Sequence, residues 1–233
     1  MNFARTAAAA SGILAIVSCV PLARASISGT FDIAGTVTVT NTTITWQDTM
    51  GVAQKSAIGM TGLSGSFVGL GGTEVTIRNL NNVTEPVGTF PPQPFVTFDA
   101  APGLGTLLIN DIFQGIYSPA GCGGAPAVGQ TCSLANSPFN FVNNPPPNAP
   151  QTTATWAFSG ITSDGSTWIA NFTSQFGIPF QTVLANLAAT GSVSNTFSAT
   201  FTVTNVPEPG TVLPIFIGLA LVAGFQLRKK ARA

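Results

Sequence analysis

The sequence predicts an all-β fold: an antiparallel β-sandwich of jelly-roll or immunoglobulin-like type, carrying one short helix. Three observations predict it. Apolar residues alternate with Thr, Ser and Asn over short runs, the period-two pattern of strands with one buried face. Turn-forming residues cluster between those runs, with 25 glycines and 17 prolines among 233 residues. No fixed-period repeat runs along the chain, which argues against a parallel solenoid.

The chain opens with Met1-Asn2-Phe3-Ala4-Arg5, an apolar run from Ala7 to Leu22, and Ala23-Arg24-Ala25. A positive start, a short apolar core and a small-x-small site are the three parts of a secretory signal peptide. Residues 1–25 are therefore expected to form a signal-peptide helix, with Ala23 and Ala25 marking cleavage after Ala25. Ser11, Gly12, Ser18 and Pro21 interrupt the run, and it falls short of the roughly 20 residues of a spanning helix.

Residues 26–205 are expected to be one extracellular β-domain. Ile27, Phe31, Ile33, Val37 and Val39 share odd positions, and the phase shifts at Asn41-Thr42-Thr43, where a turn or bulge leads to Ile44 and Trp46. Ile58 to Leu80 is glycine-rich but strand-like, with Gly71-Gly72 as a turn and Glu74 to Arg78 alternating. Glu74 and Arg78 share a strand face and are expected to pair. Phe90 to Pro94 holds three prolines and reads as a loop, because proline cannot donate to a ladder. Phe95–Phe98 and Thr106–Ile112 are the next strands. Ser118 to Pro150 reads as a long irregular excursion. Ala154–Phe158 resumes the strand pattern, Ser163-Asp164-Gly165-Ser166 marks a hairpin turn, and Thr167–Phe176 is its return strand. Pro179 to Leu187 is the helical segment, with Phe180, Val183, Leu184 and Leu187 on one face and Gly191 to end it. Val193 to Val203 is the last strand.

Two cysteines remain once Cys19 is lost with the signal peptide. Cys122 and Cys132 bracket a Gly/Pro-rich loop, and in an exported chain an even pair predicts a disulfide.

The composition changes after Asn205. Val206-Pro207-Glu208-Pro209-Gly210 cannot continue a strand, the segment 211–227 carries no charge, and Arg228, Lys229, Lys230 and Arg232 close the chain. A transmembrane helix is expected over 211–227, with the basic cluster of 228–233 as a membrane stop that stays in the cytoplasm. A Val-Pro-Glu-Pro motif, a short apolar helix and a terminal basic cluster, in this order at the C-terminus, resemble the PEP-CTERM sorting signal. The same kind of segment also carries an ice-binding-protein C-terminal name. The resemblance covers residues 206–233 and implies processing near Val206, Pro207, Glu208 and Pro209 by an exosortase, a membrane peptidase-transpeptidase. It further implies transient anchoring in the inner membrane and a Gram-negative, exopolysaccharide-making setting.

Charge and chemistry narrow the role of the body. Residues 26–205 hold two bases, Lys55 and Arg78, against Asp32, Asp48, Glu74, Glu85, Asp99, Asp111 and Asp164. No basic cluster meets phosphates there, so nucleic acid is not an expected partner. The chain has no histidine, which removes the Ser-His-Asp triad and the usual proton shuttle at neutral pH. Two thiols alone do not complete a zinc shell, and the acids are not spaced as a calcium loop, so no metal and no cofactor are expected. Trp46, Trp156, Trp168 and Tyr117 are candidate sugar-stacking residues, although Trp156 and Trp168 fall in core-like strand patterns. Two Thr-x-Thr runs, Thr36 to Thr40 and Thr200 to Thr204, do not by themselves make a flat water-ordering array. The expectation is a non-enzymatic exported protein of the cell surface or extracellular matrix, with exosortase, membrane and exopolysaccharide as partners. A carbohydrate-binding module or glycoside-active enzyme is the alternative, since glycosidases need only two carboxylates.

Overall fold

β1 (Gly29–Thr40) turns Phe31, Ile33 and Val37 inward and Thr36 and Thr38 outward, and it pairs along its whole length with β12 (Ser192–Thr204), from Gly29↔Val203 to Thr40↔Ser192. That first-to-last pairing decides the architecture. The computed structural model describes residues 26–145 and 151–205. Its other main strands are β3 (Lys55–Ile58), β4 (Glu74–Ile77), β6 (Gly88–Phe98), β7 (Thr106–Ile112), β10 (Thr152–Thr162) and β11 (Thr167–Phe176). Pairing runs β1-β3-β4-β6-β7-β10-β11-β12 and returns to β1, so eight antiparallel strands close a barrel.

The expected two-sheet sandwich is therefore corrected to a closed barrel. Sandwich and barrel strands both bury alternate residues, so the alternation reads the same in each. Closure lies in long-range pairing instead, and it removes the free edges that a sandwich would have to protect.

Shorter strands extend the wall at one end. β2 (Thr43–Gln47) continues the line of β3 alongside β1, and β5 (Leu80–Asn81) continues β4 alongside β2. On the other side, β8 (Thr131–Cys132) and β9 (Asn140–Asn143) extend the sheet beyond β7, with β9 paired to β10 over Thr152 to Thr155. The stretch expected to be irregular thus contributes two strands. The expected proline loop is also corrected, because Pro91, Pro92 and Pro94 lie inside β6. The prolines fit because the β6–β7 register shifts between Thr89 and Gln93 and again between Pro94 and Val96, where ladder donors are not needed.

The interior is filled by aromatic rings. Phe31 stacks on Phe201 at 4.7 Å between centroids, Trp46 meets Phe172 at 5.3 Å, and Phe95 stacks on Trp168 at 6.0 Å. At the end where β1 begins and β12 finishes, a 3-10 turn over Gly65–Phe67 inserts Phe67 against Phe31 and Phe98. The β10–β11 hairpin forms at Asp164-Gly165 as expected. Asp164 also accepts the Ile27 N–H at 2.6 Å, the Ser166 N–H and the Thr162 hydroxyl, which ties the start of the domain to this turn. Burial pushes its pKa up, but these donors outweigh burial and hold it below the ordinary carboxylate value.

Arg78 pairs with Glu85 at 2.8 Å, not with Glu74 as expected, and Lys55 pairs with Asp99. α1 (Phe180–Thr190) bridges β11 and β12 where the sequence placed a helix, with Pro179 at its start and the left-handed Gly191 closing it through an N–H bond to Leu187 O at 2.9 Å.

Candidate functional site: an apolar cup at the barrel mouth

One end of the barrel is plugged by Phe67. The other, where β1, β7 and β11 finish and β6, β10 and β12 begin, holds a cavity of about 560 Å³. An eight-stranded barrel is just wide enough for its own side chains or for one small ligand. Here the rings fill the waist and leave the mouth as a cup.

The cup exists because β1 outruns β3 and β10 outruns β7. Beyond Gly35, β1 leaves β3 and pairs with β2, and before Phe158, β10 leaves β7 and pairs with β9. The wall splays at both forks. The connection after β5, the end of β7, the 134–138 turn and α1 enclose the space between them. Val37, Ile44, Leu80, Ile112, Phe141 and Trp156 are buried wall residues, and Val183, Leu184 and Leu187 of α1 face them across the opening. Asn136 adopts φ 57° in the rim turn, a conformation asparagine tolerates better than most residues.

Among the described residues Glu85 is the one charged residue of this lining, and its charge is consumed locally. Oε1 accepts from Arg78, while Oε2 accepts the Asn81 N–H at 3.0 Å and the Thr84 hydroxyl at 2.8 Å. Burial raises its pKa, but these bonds and the guanidinium prevail and hold it below the usual value. The ion pair fixes the β5–β6 connection as cup wall.

α1 is bolted at its N-terminal end. Asn143 Oδ1 accepts the Phe180 N–H at 3.0 Å, Asn143 Nδ2 donates to Gln181 Oε1 at 3.0 Å, and Gln181 Nε2 donates to Gln130 Oε1 at 2.7 Å.

The expected disulfide is present between Cys122 and Cys132, with Cα atoms 4.8 Å apart. Cys132 sits in β8, just before the rim turn, so the bond anchors that turn and the Gln130 support of the helix. Replacing both cysteines by serine is expected to cost roughly 2–3 kcal/mol for a loop of this size. Urea unfolding followed by circular dichroism measures it, and protease nicking should begin near 134–138.

No protein-family model, no curated protein and no solved structure matches this chain. The site is therefore read from its own geometry.

That geometry places the sequence candidates as follows. Trp46, Trp156 and Trp168 are all buried, so none offers an exposed stacking face, and Tyr117 is half-buried in the segment after β7. Asp48 receives the Met50 and Val52 N–H groups and shapes a turn. Among the described residues no group of three or more acids or thiols is placed to hold a metal ion. Also among the described residues, no helix is long and apolar enough to cross a membrane. Ala23 and Ala25, the sorting motif Val206–Pro209, the apolar 211–227 segment and the stop residues Arg228, Lys229, Lys230 and Arg232 lie outside the described residues. The cup itself was not read from the sequence. Its one local signal was the apolar helix face of Val183, Leu184 and Leu187, which a core would use equally well.

Proposed function

We propose that this chain is an exported surface protein whose barrel binds one small apolar molecule in the cup, and that its PEP-CTERM-like tail sorts it. The observation that carries the reading is a cavity of about 560 Å³ with a mainly apolar wall, open at the mouth of a barrel whose waist is filled by aromatic rings. Its volume falls in the ~300–1,000 Å³ range of small-molecule sites. The absence of histidine favours binding over proton-transfer chemistry. A disulfide-closed rim suits an oxidising, extracellular setting. The last described strand, β12, ends at the plugged end of the barrel, opposite the cup.

The test is titration of the full-length protein with N-phenyl-1-naphthylamine, an uncharged dye that fluoresces in apolar surroundings. Wild type is expected to bind it saturably. Leu184→Arg places a cation across the opening and should weaken binding by about a hundredfold or more. Unsaturable wild-type signal, or equal binding by the variant, would overturn the reading.

Sorting has its own test. In a host with an exosortase, the mature wild-type protein should lose its tail by mass, while Glu208→Ala should retain it. An intact C-terminus in both would defeat the sorting proposal and leave the cup untouched.

A further inference from the structure

We infer that the cup selects an uncharged amphiphile whose polar end carries a hydrogen-bond donor, such as a long-chain alcohol or primary amide; this rests on the reading of the cup as a ligand site. The first ground is charge. Among the described residues no lysine or arginine lines the cavity, and the one carboxylate, Glu85, is already held by Arg78, the Asn81 N–H and the Thr84 hydroxyl. A carboxylate or phosphate head would lose its water with no cation to replace it. An ammonium head would have to compete with a guanidinium for a carboxylate whose oxygens are both taken. Either ion carries a desolvation cost that a neutral head avoids.

The second ground is a polar spot on the inward face. Asn195 precedes Phe197, Ala199 and Phe201 in the inward register of β12, and Ser174 continues the inward register of Trp168, Ala170 and Phe172 on β11. Both line the cup. Asn195 donates to Ser174 Oγ at 3.0 Å and to Gln175 O at 2.7 Å, and Ser174 Oγ in turn donates to Thr196 O at 2.7 Å. Gln175 O can only accept, so the amide orientation is fixed. Both amide hydrogens are then spent, and Oδ1 of Asn195 is left as an acceptor in an otherwise apolar wall. A ligand hydroxyl or amide N–H satisfies it, and an ester or alkane does not. The rim adds further neutral groups at Thr40, Asn41, Asn82 and Asn136.

The experiment displaces N-phenyl-1-naphthylamine from the full-length protein with 1-decanol, decanoate or decylammonium at about pH 8, where both ionisable chains are charged. Decanol is expected to displace at a concentration at least about tenfold lower than either ion. Asn195→Leu should shrink the advantage of decanol over 1-methoxydecane, a chain with no donor, about fivefold or more, because only the alcohol can use the lost acceptor. Equal or better displacement by decanoate or decylammonium overturns the ligand class while the cup stands, as does dye binding that decanol fails to displace. Failure of the dye itself to bind overturns the cup and this inference together. The comparison of the three chains on wild type decides the matter even if Asn195→Leu does not fold.

Discussion

Gly160→Ala is expected to prevent the barrel from closing. Gly160 sits in β10 at the seam, opposite Ile109 of β7 on one side and Trp168 of β11 on the other, where the β7 register shifts. A Cβ there would overlap the Leu108 carbonyl oxygen and approach the Trp168 ring to 2.8 Å. That same oxygen receives the Trp168 indole N–H at 3.1 Å. One methyl group therefore opposes both the β7 backbone and the ring that covers it. Overpacking against side chains typically costs about 1–3 kcal/mol, because rotamers can give way. Backbone in a ladder cannot, so the loss should exceed about 3 kcal/mol, a large share of the ~5–15 kcal/mol that holds a domain together. Thermal melting followed by circular dichroism should show a midpoint lower by roughly 10 °C or more, or no cooperative transition. Adding Trp168→Phe should not restore it, since the Leu108 carbonyl remains. Gly123→Ala, with nothing within 4 Å of its added carbon, is the control that should melt like wild type. Wild-type melting of Gly160→Ala would contradict the seam.

Gly160 also shows why the sequence reading reached the strands but not the barrel. In the sequence it interrupts a run of alternating apolar residues, and nothing local says that a β7 carbonyl lies where its side chain would be. The hairpin at Asp164, the helix with Gly191 behind it and the disulfide were legible because each is set by residues close in sequence. The pairings Gly29↔Val203 and Phe158↔Ile112 join distant segments, and the same inward face would serve a sandwich. Prolines misled at β6 because a bulged strand tolerates what a regular one does not. The cup was hidden for a related reason. Val37, Leu80, Phe141 and Val183 are ordinary core residues in the sequence, and only the forks of β1 and β10 turn them from core into cavity wall. The Arg78–Glu85 pair was missed because Glu74 and Arg78 fall in one alternating run of the sequence, whereas β4 ends at Ile77 and Glu85 reaches Arg78 only through the turn after β5.

Trp156→Ala is expected to be among the most damaging changes in the cup, and Trp156→Phe nearly silent. Trp156 lines the cup and also borders a second hollow of about 290 Å³ beside Phe113, Ile116 and Asn171. It stacks on Phe172 at 5.4 Å and meets Phe139 at 5.1 Å. Removing the ring costs roughly 3–5 kcal/mol and enlarges the cup. Phenylalanine keeps most of the packing and should cost under about 1.5 kcal/mol. The reason is specific to this tryptophan. Trp46 and Trp168 donate their indole N–H groups to the carbonyls of Arg78 and Leu108, both at 3.1 Å, whereas the buried Nε1 of Trp156 has no partner among the described residues. Replacing it by carbon removes an unsatisfied donor, but Trp46→Phe leaves the Arg78 carbonyl short of its bond and should cost about 1–3 kcal/mol more. Urea unfolding of the three variants measures the order. If Trp156→Phe loses as much as Trp46→Phe, the Trp156 N–H has a partner in solution. If the order holds, this ring acts through shape alone, packed between Phe172 and Phe139 at the wall of the cup.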